Sequence, residues 1–115
     1  MKQVIPEIYV KDCKNALPFY KELFGGSIKN LQMSDDLHVN SRCVFYFVDI
    51  FDPKRKNVGN MTLMLHMDSM EEIRRIYEVL EKHGSVGMPL QKTYWGAWHA
   101  IITDEYGAPW ALNYA

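Results

Sequence analysis

Ser69-Met70-Glu71-Glu72-Ile73-Arg74-Arg75-Ile76-Tyr77-Glu78-Val79-Leu80-Glu81-Lys82-His83-Gly84 is the stretch on which the rest of the chain is aligned. Met70, Ile73, Ile76, Tyr77 and Leu80 recur at helical spacing and make one apolar stripe. Ser69 with Glu72 forms a capping box, whose side chains satisfy N–H groups that a helix start leaves unpaired. Glu71 with Arg75, and Glu78 with Lys82, stand at the i,i+4 spacing that supports a helix. The helix is expected to stop at His83-Gly84. A helix with a single apolar stripe needs another element to cover that stripe.

The flanks supply strands. Residues 61–67 read as a strand before the helix, and residues 86–90, 98–103 and 109–114 as extended pieces after it. Asp104-Glu105-Tyr106-Gly107 joins the last two as a hairpin turn.

The first half has the same order. In residues 4–10, Val4, Pro6, Ile8 and Val10 share one face, with Ile5, Glu7 and Tyr9 on the other. A helix follows, with Ala16, Leu17, Tyr20, Leu23 and Phe24 on its stripe. Pro18 has no N–H, which is harmless only in a first turn, so the regular helix is expected to start with Asn15 as its cap. Gly25-Gly26 ends it, because glycine takes positive φ cheaply. Strands are expected near residues 28–33 and 43–51, with the polar stretch 34–41 as a loop. Strand, Asp12, Tyr20 and Gly25 thus recur as strand, Asp68, Tyr77 and Gly84. Two copies are too few for a solenoid, so they are expected to pack as a pair. The expected class is α+β, with two tandem βαβββ modules, about residues 1–58 and 59–115, the first shortened, in one domain.

Composition narrows the function. Hydrophobic residues make up 48% and charged residues 23%, an ordinary globular balance. A net charge of −1 argues against nucleic-acid binding, which needs a concentrated surplus of Lys and Arg. Lys54-Arg55-Lys56, between Asp52-Pro53 and Gly59, reads as a solvated turn. No apolar run approaches the roughly 18 residues of a bilayer span, and the start lacks a signal-peptide layout, so a cytoplasmic location and no membrane partner are expected. Cys13 and Cys43 are not closely spaced and suggest neither a zinc knuckle nor a redox motif. The Asn60-Met61-Thr62 sequon is then incidental.

Pro6-Glu7-Ile8-Tyr9-Val10-Lys11-Asp12 with Ala16-Leu17-Pro18-Phe19-Tyr20-Lys21-Glu22-Leu23-Phe24-Gly25-Gly26 resembles the opening of PhnB-like proteins of the glyoxalase/bleomycin-resistance, or vicinal oxygen chelate, superfamily. Met88-Pro89-Leu90-Gln91-Lys92-Thr93-Tyr94-Trp95-Gly96 and Thr103-Asp104-Glu105-Tyr106-Gly107-Ala108-Pro109-Trp110 look like the closing signature of that branch. The likeness is weak between residues 27 and 60, where a trimmed loop or a missing strand is expected. The resemblance implies sheets curled around a cavity, usually in a homodimer. Some relatives carry a demethylubiquinone methyltransferase label, but no cofactor-binding glycine loop supports methyl transfer here, and no cofactor is expected.

Metal-dependent members carry ligands at positions that map onto Ile5, a residue near Asp49, a residue near Thr62, and Ala111. Alkyl side chains donate no lone pairs and one carboxylate cannot hold a transition metal, so no family-type metal site is expected.

The remaining candidates are weighed singly. His83 suits a helix C-terminus, and His38 suits a solvated loop. His66 shares strand parity with Thr62 and Met64, and is either a polar pocket group or general base, or a rim or hydrogen-bonded sheet residue. Either Trp98 or His99 faces inward. Glu7 and Tyr9 share the cavity parity of Ile5, and Glu7 is either an acid–base group or anchor, or an edge residue. Tyr94, Trp95 and Trp98 are a ligand wall or else core and dimer packing. Trp110, Leu112 and Tyr114 face the helix, which leaves Asn113 on the cavity side. Met61, Met64, Met67, Met70 and Met88 are adaptable fillers.

The expected ligand contacts are therefore Glu7, Tyr9, Met64, His66, Trp95, Trp98 and Asn113. The leading expectation is a metal-independent protein that binds a small molecule in an apolar, aromatic-lined cavity. The alternatives are a metal-independent lyase or isomerase using Glu7 or His66 as general base, and a purely structural domain.

Overall fold

We describe residues 1, 5–30, 35–40, 43–49 and 61–115 of a computed structural model, with strand residues 28–30, 35–40, 43, 44, 46, 48 and 49 described by their backbone alone. The expectations for Val4, Lys54-Arg55-Lys56 and Asn60 lie outside the described residues. The chain divides into two compact units, Met1–Lys56 and Asn57–Ala115.

The first unit runs β1 (Glu7–Val10), α1 (Cys13–Phe24), β2 (Ser27–Asn30), β3 (Asp35–Asn40) and β4 (Cys43–Asp49). Its sheet has the order β1-β4-β3-β2, with β1 parallel to β4 and the other pairs antiparallel. Residues 35–40, expected as a loop, are strand β3, paired on both sides. Their polar composition argues against a strand only while propensity is judged alone; hydrogen bonding to β2 and β4 overrides it. No strand of the βαβββ pattern is missing from this unit.

Helix α1 starts earlier than expected. Asp12, not Asn15, is its cap, and the Asp12 carboxylate accepts from the Asn15 backbone N–H (3.3 Å) and from Asn15 Nδ2 (2.6 Å). Pro18 consequently sits inside the helix, on its exposed side, where water can serve the carbonyl that has lost its partner. Gly25 ends the helix at φ 79° and donates its N–H to Lys21 O (2.8 Å). Tyr20 is fully buried and stacks on Phe47 at 4.7 Å, so Phe47, and Ile8 in register with it, lie on the face covered by α1. The Cys13 side chain is buried.

The second unit repeats the order as β5 (Leu63–His66), α2 (Met70–Glu81), β6 (Ser85–Lys92), β7 (Trp98–Thr103) and β8 (Pro109–Tyr114). Its sheet order is β5-β8-β7-β6, again with one parallel pair, β5 with β8. Ser69 caps α2, and Glu72 N–H donates to Ser69 Oγ (3.1 Å). The reciprocal bond runs from Asp68 N–H to Glu72 Oε1 (3.0 Å), one residue before the cap. Asp12 and Ser69 are therefore equivalent caps, and Tyr20 and Tyr77 hold the same place in two helices of equal length.

Ile73, Ile76 and Leu80 of α2 are buried on the sheet face that carries Ile102, Trp110 and Leu112. Register adds Leu63, Leu65, Trp98 and Ala100 to that face. The opposite face carries Met64, His66, His99, Ile101, Ala111 and Asn113.

Candidate functional site

Two hairpin turns of the same design hold this second face. In the first, Thr93 N–H donates to Ala97 O (2.7 Å) and Gly96 N–H to Thr93 O (3.1 Å). In the second, Asp104 N–H donates to Ala108 O (2.9 Å) and Gly107 N–H to Asp104 O (3.0 Å). Gly96 and Gly107 take φ of 89° and 95°, a conformation open to glycine at little cost. The second turn pairs Thr103 with Pro109, and the ladder then places His99 opposite Asn113. The first turn presents Tyr94 and Trp95 at its tip, packed edge to face at 4.9 Å.

The ring of Trp95 lies at 6.0 Å from that of His99, at 68°. His99 Nδ1 meets Asn113 Oδ1 at 3.0 Å, and Asn113 Nδ2 reaches His66 Nδ1 at 3.4 Å, a longer and weaker link. An imidazole–amide–imidazole line thus crosses β7, β8 and β5. His99 and Asn113 are each 8% exposed, while His66 is open to solvent. Apolar surface flanks the line: Met64 is 53% exposed, Ile101 37% and Trp95 55%.

The expected site residues divide accordingly. Met64, His66, Trp95 and Asn113 come together in the second unit. Trp98 does not: it pairs with Tyr114 on the α2 face, and His99 holds the place for which the two competed. Glu7, exposed, and Tyr9, half-buried, lie in the first unit, on strand positions alternating with buried Ile8 and Val10. His38 belongs to β3, in register with Ser27 and Val44, rather than to a loop. His83 is exposed, just past the cap of α2.

Sequence reasoning missed the bridging role of Asn113 and left His99 undecided. The signal was available, since counting back from the Asp104–Gly107 turn sets His99 against Asn113.

The metal positions implied by the resemblance do not fit a divalent ion. Ile5 and Ala111 have no donor atom, Thr62 is an exposed alcohol, and Asp49 ends β4 in register with Val10. Among the described residues no three His, Cys, Asp or Glu side chains converge on a point.

Protein PA1353 from Pseudomonas aeruginosa superposes with a TM-score of 0.85 at 25% identity, over 99% of this chain and 98% of that one. A PhnB protein from Bacillus cereus superposes with a TM-score of 0.83 at 20% identity, over 99% of this chain and all (100%) of the other. Protein YjdN from Escherichia coli (strain K12) is 29% identical over 65 residues, which take in 56% of this chain and 44% of YjdN, less than half of that relative's length. The family model of the Glyoxalase/Bleomycin resistance protein/Dioxygenase superfamily matches residues 2–112. With nearly the whole length matched and both βαβββ units present, the chain belongs to the Glyoxalase/Bleomycin resistance protein/Dioxygenase superfamily.

Proposed function

We propose that this chain is a metal-independent small-molecule-binding protein of the PhnB-like branch. In this reading the two units are halves of one domain, the protein is a cytoplasmic homodimer, and the ligand lies in an apolar, aromatic-lined cavity. The observation that carries the reading is the sheet face turned away from α2. There, exposed Met64, Ile101 and Trp95 surround a few convergent polar groups, His66, Asn113 and His99. Apolar surface with a small number of placed polar atoms is how proteins hold small organic molecules.

A titration with aromatic carboxylates, phenols and quinones, followed by Trp fluorescence and melting temperature, tests this. Saturable quenching with a rise in melting temperature is expected; a flat response across all three classes would sink the reading. Light scattering after gel filtration tests the dimer.

A second reading is a lyase or isomerase with Glu7 or His66 as general base, favoured by the exposure of both side chains. It is abandoned if Glu7→Gln and His66→Ala leave turnover unchanged in any activity found.

A further inference from the structure

Among the described residues, one ring nitrogen of His99 has no hydrogen-bond partner. Its Nδ1 meets the side-chain oxygen of Asn113 at 3.0 Å, and an amide oxygen only accepts, so Nδ1 carries the proton. In a neutral imidazole Nε2 is then a bare lone pair. Among the described residues nothing donates to Nε2; the ring's other neighbour is Trp95, at 6.0 Å and tilted by 68°. The residue as a whole is only 8% exposed, which limits access of bulk water to the ring. Buried acceptors without partners are uncommon because the lost hydration is not repaid, and such an atom calls for a donor from outside the fold.

The same amide sets the second ring to the opposite tautomer. Asn113 Nδ2 donates to His66 Nδ1 (3.4 Å), so neutral His66 carries its proton on Nε2 and offers a donor to solvent. The strands run β5-β8-β7, so the two histidines stand two strand spacings apart, roughly 10 Å between backbones. That span suits a molecule about the size of one substituted ring.

We propose that this face is a subsite for a small aromatic molecule with a hydroxyl or N–H at one end and an oxygen acceptor at the other. The hydroxyl or N–H donates to His99 Nε2, His66 Nε2–H donates to the oxygen, and Trp95 walls the ring. Asn113 is a positioning residue that holds the two imidazoles in complementary tautomers. The proposal rests on the small-molecule reading above and adds the ligand's chemical class.

The test uses the full chain labelled with 15N at histidine, since imidazole nitrogen resonances distinguish the two tautomers. His99 is expected to be protonated at Nδ1, and Asn113→Leu to abolish that preference. The probes are 4-hydroxybenzoate and its methyl ether, 4-methoxybenzoate. The phenol is expected to shift the His99 Nε2 resonance and to bind at least about tenfold more tightly than the ether, which lacks the donor. Neither the tautomer measurement nor the comparison of the two probes needs a variant that folds. Ligand-free His99 protonated at Nε2 overturns the proposal. Equal binding of both probes with an unmoved His99 resonance also overturns it, while leaving the small-molecule reading intact. Binding of neither probe overturns it too, and the wider titration then decides that reading separately.

Discussion

The indole N–H of Trp110 donates to Asp104 Oδ2 at 2.8 Å, joining the first residue of a turn to the largest fully buried side chain of the second unit. The other carboxylate oxygen accepts from the backbone N–H groups of Tyr106 (2.9 Å) and Ala108 (3.0 Å). Asp104 thus closes the β7–β8 turn and pins the core tryptophan beneath it.

Asp104→Ala leaves these donors without their acceptor in a buried place. The expected loss is about 3 kcal/mol, read from the urea denaturation midpoint, because bonds to a charged acceptor contribute more than neutral ones. A loss below about 0.5 kcal/mol would show that the carboxylate is incidental. The Asp104–Gly107 hairpin was legible in the sequence from its turn residues, whereas the bond to Trp110 was not. Turn chemistry is local, but the contact between Asp104 and the indole depends on how β8 returns along β7.

Gly84 is placed by crowding rather than by its own dihedral angles. A Cβ built there would stand 2.5 Å from Leu80 O and 2.7 Å from Thr103 O, both backbone atoms that cannot turn aside. Gly84→Ala is therefore expected to cost about 1–3 kcal/mol, although alanine is the better residue by propensity. Equal or higher stability by chemical denaturation would show that α2 and β7 give way easily.

Pro18 makes the opposite prediction. It sits inside α1, exposed, where it deprives the helix of one bond. Pro18→Ala restores the N–H, and a stability gain of about 1 kcal/mol is expected after the greater freedom of the unfolded chain is deducted. A lower denaturation midpoint would mean that Pro18 supports the fold through its own packing.

Tyr77 ties α2 to β6. Burial, then its hydrogen bond to Glu81, raises the phenol above its ordinary value, and a backbone bond from Leu90 acts in the lowering sense. Because the fold favours the neutral phenol, the stability it contributes is fully present below the unfolded value near pH 10 and is lost as pH rises through the higher folded value. Tyr77→Phe should therefore narrow the gap between the denaturation midpoints at about pH 9 and about pH 11. Unchanged alkaline sensitivity in the variant would place the titrating group elsewhere.

Local chemistry was enough to locate the second helix, its Ser69 cap and the closing hairpin, since each rests on residues within a few positions of one another, and the duplication followed from the recurrence of these local signals in both halves. It misplaced the start of α1, because the avoidance of proline in helix interiors was weighed above a capping carboxylate at Asp12. It took residues 35–40 for a loop, because polar residues in a strand are paid for by hydrogen bonds from neighbours distant in sequence. The site followed the same division. Strand parity was sufficient to put His66, Met64 and Asn113 on one face. Counting back from the local hairpin sets His99 rather than Trp98 opposite Asn113, but only the tertiary ladder brings β5 beside β8, so that one amide spans two imidazoles. Alternation along a single strand says which residues share a face; the registry between strands decides which of them touch.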